Sequence, residues 1–266
     1  MPGRLMQVKF QPHNKLMSRT GERNLIIMKI TFLGTSHGIP EKGRFTSGIA
    51  VEVGENLFII DAGAPVCSLL IDRGIDLHRL KAVFITHRHG DHNNGLPELV
   101  DELTWPERYK DCDPTLFFPE AGAIPLLKAW VEYCSGQRVH TRMETYSDGV
   151  VYKDDKLTVT ALRTKHTDAS FGFCFSAEGK TVLFTGDMST DYPEYPALTG
   201  GRHFDAVVCE GAHLNSETPI VQYLNTDTEK LVVTHVYPPK LPLLEGLKGS
   251  ERFAVTFAND GTVITV

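Results

Sequence analysis

The residues best suited to chemistry stand in one short stretch, Thr86-His87-Arg88-His89-Gly90-Asp91-His92-Asn93-Asn94-Gly95. Imidazole nitrogen and carboxylate oxygen suit Zn, Mn or Fe. A tight turn aims alternate residues at different points, so His87 and His89 can take one ion while Asp91 and His92 take a second beside it. The stretch follows Lys81–Ile85, an apolar β-branched run that reads as a buried strand. It precedes Leu96–Leu103, which has helical spacing, with Pro97 early, where a helix tolerates it. The ligand-type residues therefore occupy a strand-to-helix turn.

Other residues of the same types recur at equivalent places. His166 comes shortly after the alternating run Leu157–Leu162, Asp187 ends Thr185-Gly186-Asp187 after Thr181–Phe184, and His235 follows Leu231–Thr234. Loops beyond strand ends converge on one face in layered α/β folds, so these residues and the turn are expected at one site. Asp61 ends the strand Leu57–Ile60. It has two readings: a cap for a helix over Pro65–Asp72, or an acceptor for the second N–H of a metal-binding histidine. His37, in the glycine-bearing turn after the strand Met28–Leu33, is an extra histidine near the site.

The elements that must position these groups alternate strand and helix. Ile49–Val53 and Leu57–Ile60 read as a hairpin, as do Phe171–Phe175 and Thr181–Phe184. Phe253–Phe257 and Thr262–Val266 read as a third around Asn259-Asp260-Gly261. In a helix over Ala123–Cys134, the apolar face is Leu127, Trp130, Val131 and Cys134, with Trp130 in the core. Helix spacing also covers Glu217–Leu224. Thr104–Pro114 reads as a loop, either at the site mouth or on the surface. Residues 1–27 lack periodicity and are expected to be an N-terminal extension, leaving 28–266 as the folded domain.

The 266 residues are 41% hydrophobic, enough for a sizeable core, and the net charge of −6 includes no basic cluster of the kind that grips nucleic acid. No apolar run approaches the roughly 20 residues of a membrane span. The five scattered cysteines form no Cys-x-x-Cys pair and suit a reducing, cytoplasmic compartment.

His-x-His-x-Asp-His after a strand resembles the metallo-β-lactamase superfamily. The segment Phe32-Leu33-Gly34-Thr35-Ser36-His37-Gly38-Ile39-Pro40 resembles the opening motif of its ribonuclease Z branch. The resemblance covers residue 28 to the C-terminus and implies a four-layer αββα sandwich with metals at one edge of the packed sheets. It assigns His87, His89 and His166 to one metal, Asp91, His92 and His235 to a second, and Asp187 to the bridge. Two divalent ions roughly 3.5–4 Å apart, Zn first and Mn or Fe next, would hold a bridging hydroxide at neutral pH. Asp91 and His213 are the candidate catalytic residues. Asp91 is expected on metal, so His213, in Ala212-His213-Leu214-Asn215-Ser216, is the candidate proton donor or a residue that supports a ligand. Glu210 is read either as its orienting partner or as a surface acid.

Ribonuclease Z carries a long tRNA-binding arm between the third histidine and the bridging aspartate. Here little more than one hairpin joins His166 to Asp187. The resemblance therefore implies a phosphodiesterase for a small or cyclic phosphodiester, with tRNA not the expected substrate, no membrane partner, and a homodimer left open. A lactone or thioester hydrolase on the same metals, and a non-catalytic metal-binding scaffold, stand as alternatives. Arg44, Arg88 and Lys165 lie near the inferred site and are candidates to meet phosphate.

Overall fold

The computed structural model describes residues 28–63, 65–109 and 111–266. The expectation for residues 1–27 falls outside that set. In chain order the strands are β1 (Met28–Gly34), β2 (Gly48–Val53), β3 (Asn56–Ala62), β4 (Leu80–Phe84), β5 (Thr115–Phe118), β6 (Arg142–Thr145), β7 (Gly149–Lys153), β8 (Thr158–Arg163), β9 (Phe171–Ala177), β10 (Lys180–Phe184), β11 (Ala206–Gly211), β12 (Lys230–Val236), β13 (Ala254–Phe257) and β14 (Val263–Thr265). They form two seven-stranded sheets, ordered β14-β1-β2-β3-β4-β5-β6 and β13-β12-β11-β10-β9-β8-β7.

Period-2 alternation divides each strand between two cores. In β3, Phe58 and Ile60 point between the sheets, where Phe84, Phe173, Phe175 and Phe184 meet them. Leu57 and Ile59 point outward, to the helices α1 (Val66–Asp72), α3 (Leu96–Thr104) and α5 (Ala123–Ser135). The metal-type turn contributes α2 (Gly90–Asn93), and α4 (Pro106–Tyr109) follows α3. Across the second sheet, Val207 and Cys209 of β11 meet α6 (Tyr195–Thr199), α7 (Thr218–Leu224) and α8 (Leu241–Leu244). The four layers are thus helix, sheet, sheet, helix, as expected.

Three expectations are corrected. The C-terminal strands do not form a hairpin: β13 pairs parallel with β12 and β14 pairs antiparallel with β1. Each completes the open edge of a different sheet, so the Asn259-Asp260-Gly261 turn crosses the sandwich. Asp260 then accepts from the Thr35 hydroxyl (2.7 Å) and the Phe45 N–H (2.6 Å). Trp130 is 57% exposed, and Cys134 is exposed too. Because α5 lies against the β5–β6 side of its sheet, only a narrow stripe faces inward: Val131 is buried, and Leu127 packs against the core from its margin. Thr104–Pro114 is not an irregular loop. It carries α4, and Tyr109 is buried in the helix-side core.

Candidate metal centre

The strand ends deliver the ligand-type residues to one point. His87, His89, Asp91 and His92 follow β4, His166 follows β8, Asp187 follows β10, and His235 lies near the end of β12. Gly186 makes the approach of Asp187 feasible. Its φ is +60°, and a Cβ there would stand 2.6 Å from the Phe171 carbonyl. Gly63 is required on the other flank, where a Cβ would lie 2.5 Å from the Asp91 carbonyl.

All seven expected ligands are brought together. His89 Nδ1 lies 3.0 Å from His87 Nε2 and 3.0 Å from His166 Nε2. Asp91 Oδ2 lies 3.1 Å from His92 Nε2 and 3.8 Å from His235 Nε2. Between the two groups, Asp187 Oδ2 is 3.9 Å from His87 Nε2 and 3.8 Å from His166 Nε2 on one side. On the other it is 3.5 Å from His92 Nε2 and 3.2 Å from His235 Nε2.

Hydrogen bonds behind the ligands explain which nitrogen faces inward. His92 Nδ1 donates to Asp61 Oδ2 at 2.7 Å, so Asp61 orients a histidine, and α1 has no side-chain cap. The Thr86 hydroxyl donates to Asp61 (3.0 Å), which leaves it to accept from His87 Nδ1 (2.9 Å). Ser47 Oγ holds His235 Nδ1 at 2.9 Å. Asp61 (φ 58°) and His235 (φ 52°) both sit in the left-handed region. Such strain in non-glycine residues persists where the surroundings over-determine it.

The donor set fits divalent cations. His92 Nε2 is buried without a hydrogen-bond partner, and the nitrogen lone pairs of His87, His89 and His166 converge. Desolvation and the charge of neighbouring His92 push the His87 pKa down to about 2, so it is neutral, the form that ligates. Desolvation would raise the Asp91 and Asp187 pKa values. The histidines around them prevail: Asp91 is held down at about 2, and Asp187 falls well below the usual carboxylate range. Desolvation opposes protonation of His92, yet Asp187 and Asp61 hold its pKa well above the ordinary value. The centre thus favours positive charge at its middle.

His213 stands beside this group. Its ring centroid is 4.6 Å from that of His166, and its Nδ1 is 2.8 Å from Glu210 Oε2. Glu210 is buried, not a surface acid, and also accepts the N–H groups of Met188, Ala212 and His213. Desolvation lowers the His213 pKa, but the Glu210 hydrogen bond and charge outweigh it and push the value up to about 9. His37 packs on Tyr237 (ring centroids 4.4 Å apart) and is no closer to a ligand role. Desolvation lowers its pKa.

Of the three candidate phosphate cations, Arg44 is already committed, to Glu41 (2.7 Å), Thr35 and the Val236 carbonyl. Arg88 lies exposed, 3.5 Å from Glu120, and Lys165 is exposed. Sequence reasoning missed the roles of Ser47 and Thr86, whose partners are remote or hidden behind a ring, and of Glu194, which carries no ligand-motif signal.

Among curated relatives, ribonuclease Z of Gloeothece citriformis is 32% identical over 166 residues, 59% of this chain and 49% of that protein. Ribonuclease Z of Methanocaldococcus jannaschii is 29% identical over 162 residues, 60% and 50% respectively. The chain thus spans about half the length of the curated relatives it matches. Among solved structures, the metallo-β-lactamase fold protein YhfI from Bacillus subtilis superposes with a TM-score of 0.75 at 20% identity, covering 90% of this chain and all 100% of that one. The short form of human tRNase Z gives 0.71 at 20% identity, covering 89% and 98%. Residues 28–211 match the family model described as Anti-Pycsar protein Apyc1. The chain belongs to that family; its fold is that of the metallo-β-lactamase fold proteins, and its sequence is similar to ribonuclease Z over about half of that enzyme's length.

Proposed function

We propose that residues 28–266 form a binuclear metal-dependent hydrolase that cleaves a small, including a cyclic, phosphodiester. The observation that carries the proposal is the position of Asp187 Oδ2, within 4 Å of His87, His92, His166 and His235 at once. One carboxylate oxygen between two ligand groups suits a bridge. The first group would be His87, His89 and His166, and the second Asp91, His92 and His235, with Zn first among candidate ions and Mn or Fe also fitting. Paired divalent ions supply a water of lowered pKa and neutralise charge on a phosphoryl oxygen.

The chain's own residues contribute the rest. Asp91, held ionised beside His92, serves as a ligand and is not free to act as a base. Glu210 fixes His213 by Nδ1, which leaves Nε2 to donate a proton to the leaving oxygen. Lys165 and Arg88 are the cations left to meet substrate charge; Arg44 instead holds the loop beside Val236 in place.

The ribonuclease Z matches favour a competing substrate, RNA. Two observations support the smaller one: only the β9–β10 hairpin lies between His166 and Asp187, and the net charge of −6 disfavours a polyanion. The family description, too, names an anti-Pycsar protein and not an RNA-processing enzyme. No helix among the described residues is long and apolar enough to cross a membrane. A cytoplasmic setting is inferred from the five free cysteines.

The test is turnover of bis(p-nitrophenyl) phosphate by zinc-loaded protein, with a lactone, a thioester, cyclic nucleotides and a precursor tRNA alongside. Turnover of the diester and of a cyclic nucleotide is expected. Turnover confined to the lactone or thioester sinks the phosphodiester assignment, and preference for the tRNA sinks the small-substrate one.

A further inference from the structure

We infer that Glu194 is a positioning residue that braces the two loops carrying His166 and Asp187; the inference rests on the reading of those residues as metal ligands. Glu194 follows the Thr185-Gly186-Asp187 motif on the same loop, belongs to none of the ligand motifs, and is 4% exposed. Its Oε1 accepts the backbone N–H of Lys165, the residue just before His166, at 2.9 Å. The same oxygen accepts the N–H of Ser189 at 2.8 Å, two residues past Asp187. Its Oε2 accepts the Ser189 hydroxyl at 2.7 Å. One buried side chain thus ties the loop after β8 to the loop after β10.

A buried carboxylate is costly unless its oxygens are satisfied. Desolvation alone would raise its pKa, but the Ser189 and Lys165 donors prevail and hold it below the ordinary range. The helix that follows, α6, has only five residues and needs no buried acid: Glu194 is its first flanking residue, and its side chain makes no cap hydrogen bond there. The carboxylate is spent on the two ligand loops instead.

The geometry gives this brace a side. His166 belongs to the group with His87 and His89, and Asp187 to the bridge, whereas among the described residues the Glu194 side chain makes no hydrogen bond to a loop carrying Asp91, His92 or His235. On the opposite side, Ser47 does the corresponding work by holding His235 Nδ1. Loss of a residue that orients ligands costs roughly 10- to 100-fold in metal affinity. Glu194→Ala should therefore weaken the His166 side by about that factor, and Ser47→Ala the His235 side. Glu194→Gln is the conservative rescue. Its amide oxygen can accept both backbone N–H groups and its NH2 can donate to Ser189 Oγ, so affinity should stay within about threefold of the wild type.

The experiment measures stepwise zinc affinity by competition with a chromophoric chelator for the wild type, Glu194→Ala, Glu194→Gln and Ser47→Ala. Amide hydrogen exchange at Lys165 and Ser189 is followed in the same proteins without metal. The expected result is faster exchange at both amides and weaker binding of one ion in Glu194→Ala, with both restored in Glu194→Gln. Unchanged exchange at either amide in Glu194→Ala overturns the brace. So does a Glu194→Gln variant as weak as Glu194→Ala, since charge and not bonding geometry would then be at work. A wild type that binds no zinc counts against the metal reading alone, and the exchange data still decide the brace. Should Glu194→Ala fail to fold, Ser189→Ala, which removes the Oε2 bond only, must show the same loss on a smaller scale, and its absence also overturns the inference.

Discussion

The two halves of the centre are built differently. In the Asp91–His92–His235 half, both histidines are almost fully buried, and each has its outer nitrogen fixed by a side chain, Asp61 or Ser47. In the His87–His89–His166 half, His87 is buried and held by Thr86, but His89 is exposed and His166 half-buried. There the positioning comes through backbone, by way of Glu194 on the loops. The closed half is arranged in advance by the fold; the open half is the more solvent-accessible, and under the proposed function it would face the substrate and depend more on a bound ion. The His213 ring also lies nearer the open half, 4.6 Å from His166 and 6.2 Å from His235; under the proposed mechanism the leaving group would depart on that side.

The largest effect should come from removing what the halves share. Asp187→Ala should lower diester turnover ~10³-fold, the upper end for loss of one electrostatic group. A loss of only a few-fold would mean that the halves act separately.

Next is His213→Ala, which should cost roughly 10²-fold or more with an alkoxide leaving group. With p-nitrophenolate, which departs without a proton, the cost should be far smaller. In the metal-free protein the His213 pKa is raised to about 9, so the ring is protonated at neutral pH, as a proton donor requires. Because the folded value exceeds the ordinary 6.5, the His213–Glu210 pair also stabilises the metal-free fold below about pH 6.5, and that contribution is lost as pH rises through about 9.

A smaller effect should come from behind the ligands. Asp61→Asn keeps the backbone, since asparagine tolerates positive φ, but turns a donor toward His92 Nδ1. Affinity for the ion of the closed half should fall about 10- to 100-fold, as read by stepwise metal titration, and the other ion should weaken less, because the same Asp61 oxygen also accepts the Thr86 hydroxyl that holds His87. Smallest of all, Trp130→Ser should change unfolding free energy by no more than about 0.5 kcal/mol, because the ring lies outside both halves and outside the core.

Much of both halves was legible in the sequence, and the reason is local. His-x-His-x-Asp-His occupies one turn, and Asp61, His166, Asp187 and His235 each lie at or just beyond a strand end, where chain direction alone brings them to one face. What stayed hidden depends on distant pairing. Ser47 is ordinary in sequence and meets His235 only because β2 and β12 come from opposite sheets. Glu194 meets Ser189 within its own loop, but its other partner, Lys165, is brought to it by tertiary packing. The tail misled for a related reason: Asn259-Asp260-Gly261 is a sound turn signal, but it does not say whether the next strand pairs with the last one or crosses to another sheet. Periodicity on α5 likewise could not reveal that the helix lies at a sheet margin, where one stripe suffices.

The central claim is that one carboxylate unites two ion sites, and metal content tests it most directly. Protein equilibrated with zinc and freed of unbound metal should hold two ions per chain by elemental analysis, and Asp187→Ala should hold fewer than two under the same conditions. A wild type that never exceeds one ion per chain, or an Asp187→Ala variant that keeps both with unchanged affinity, would contradict the account.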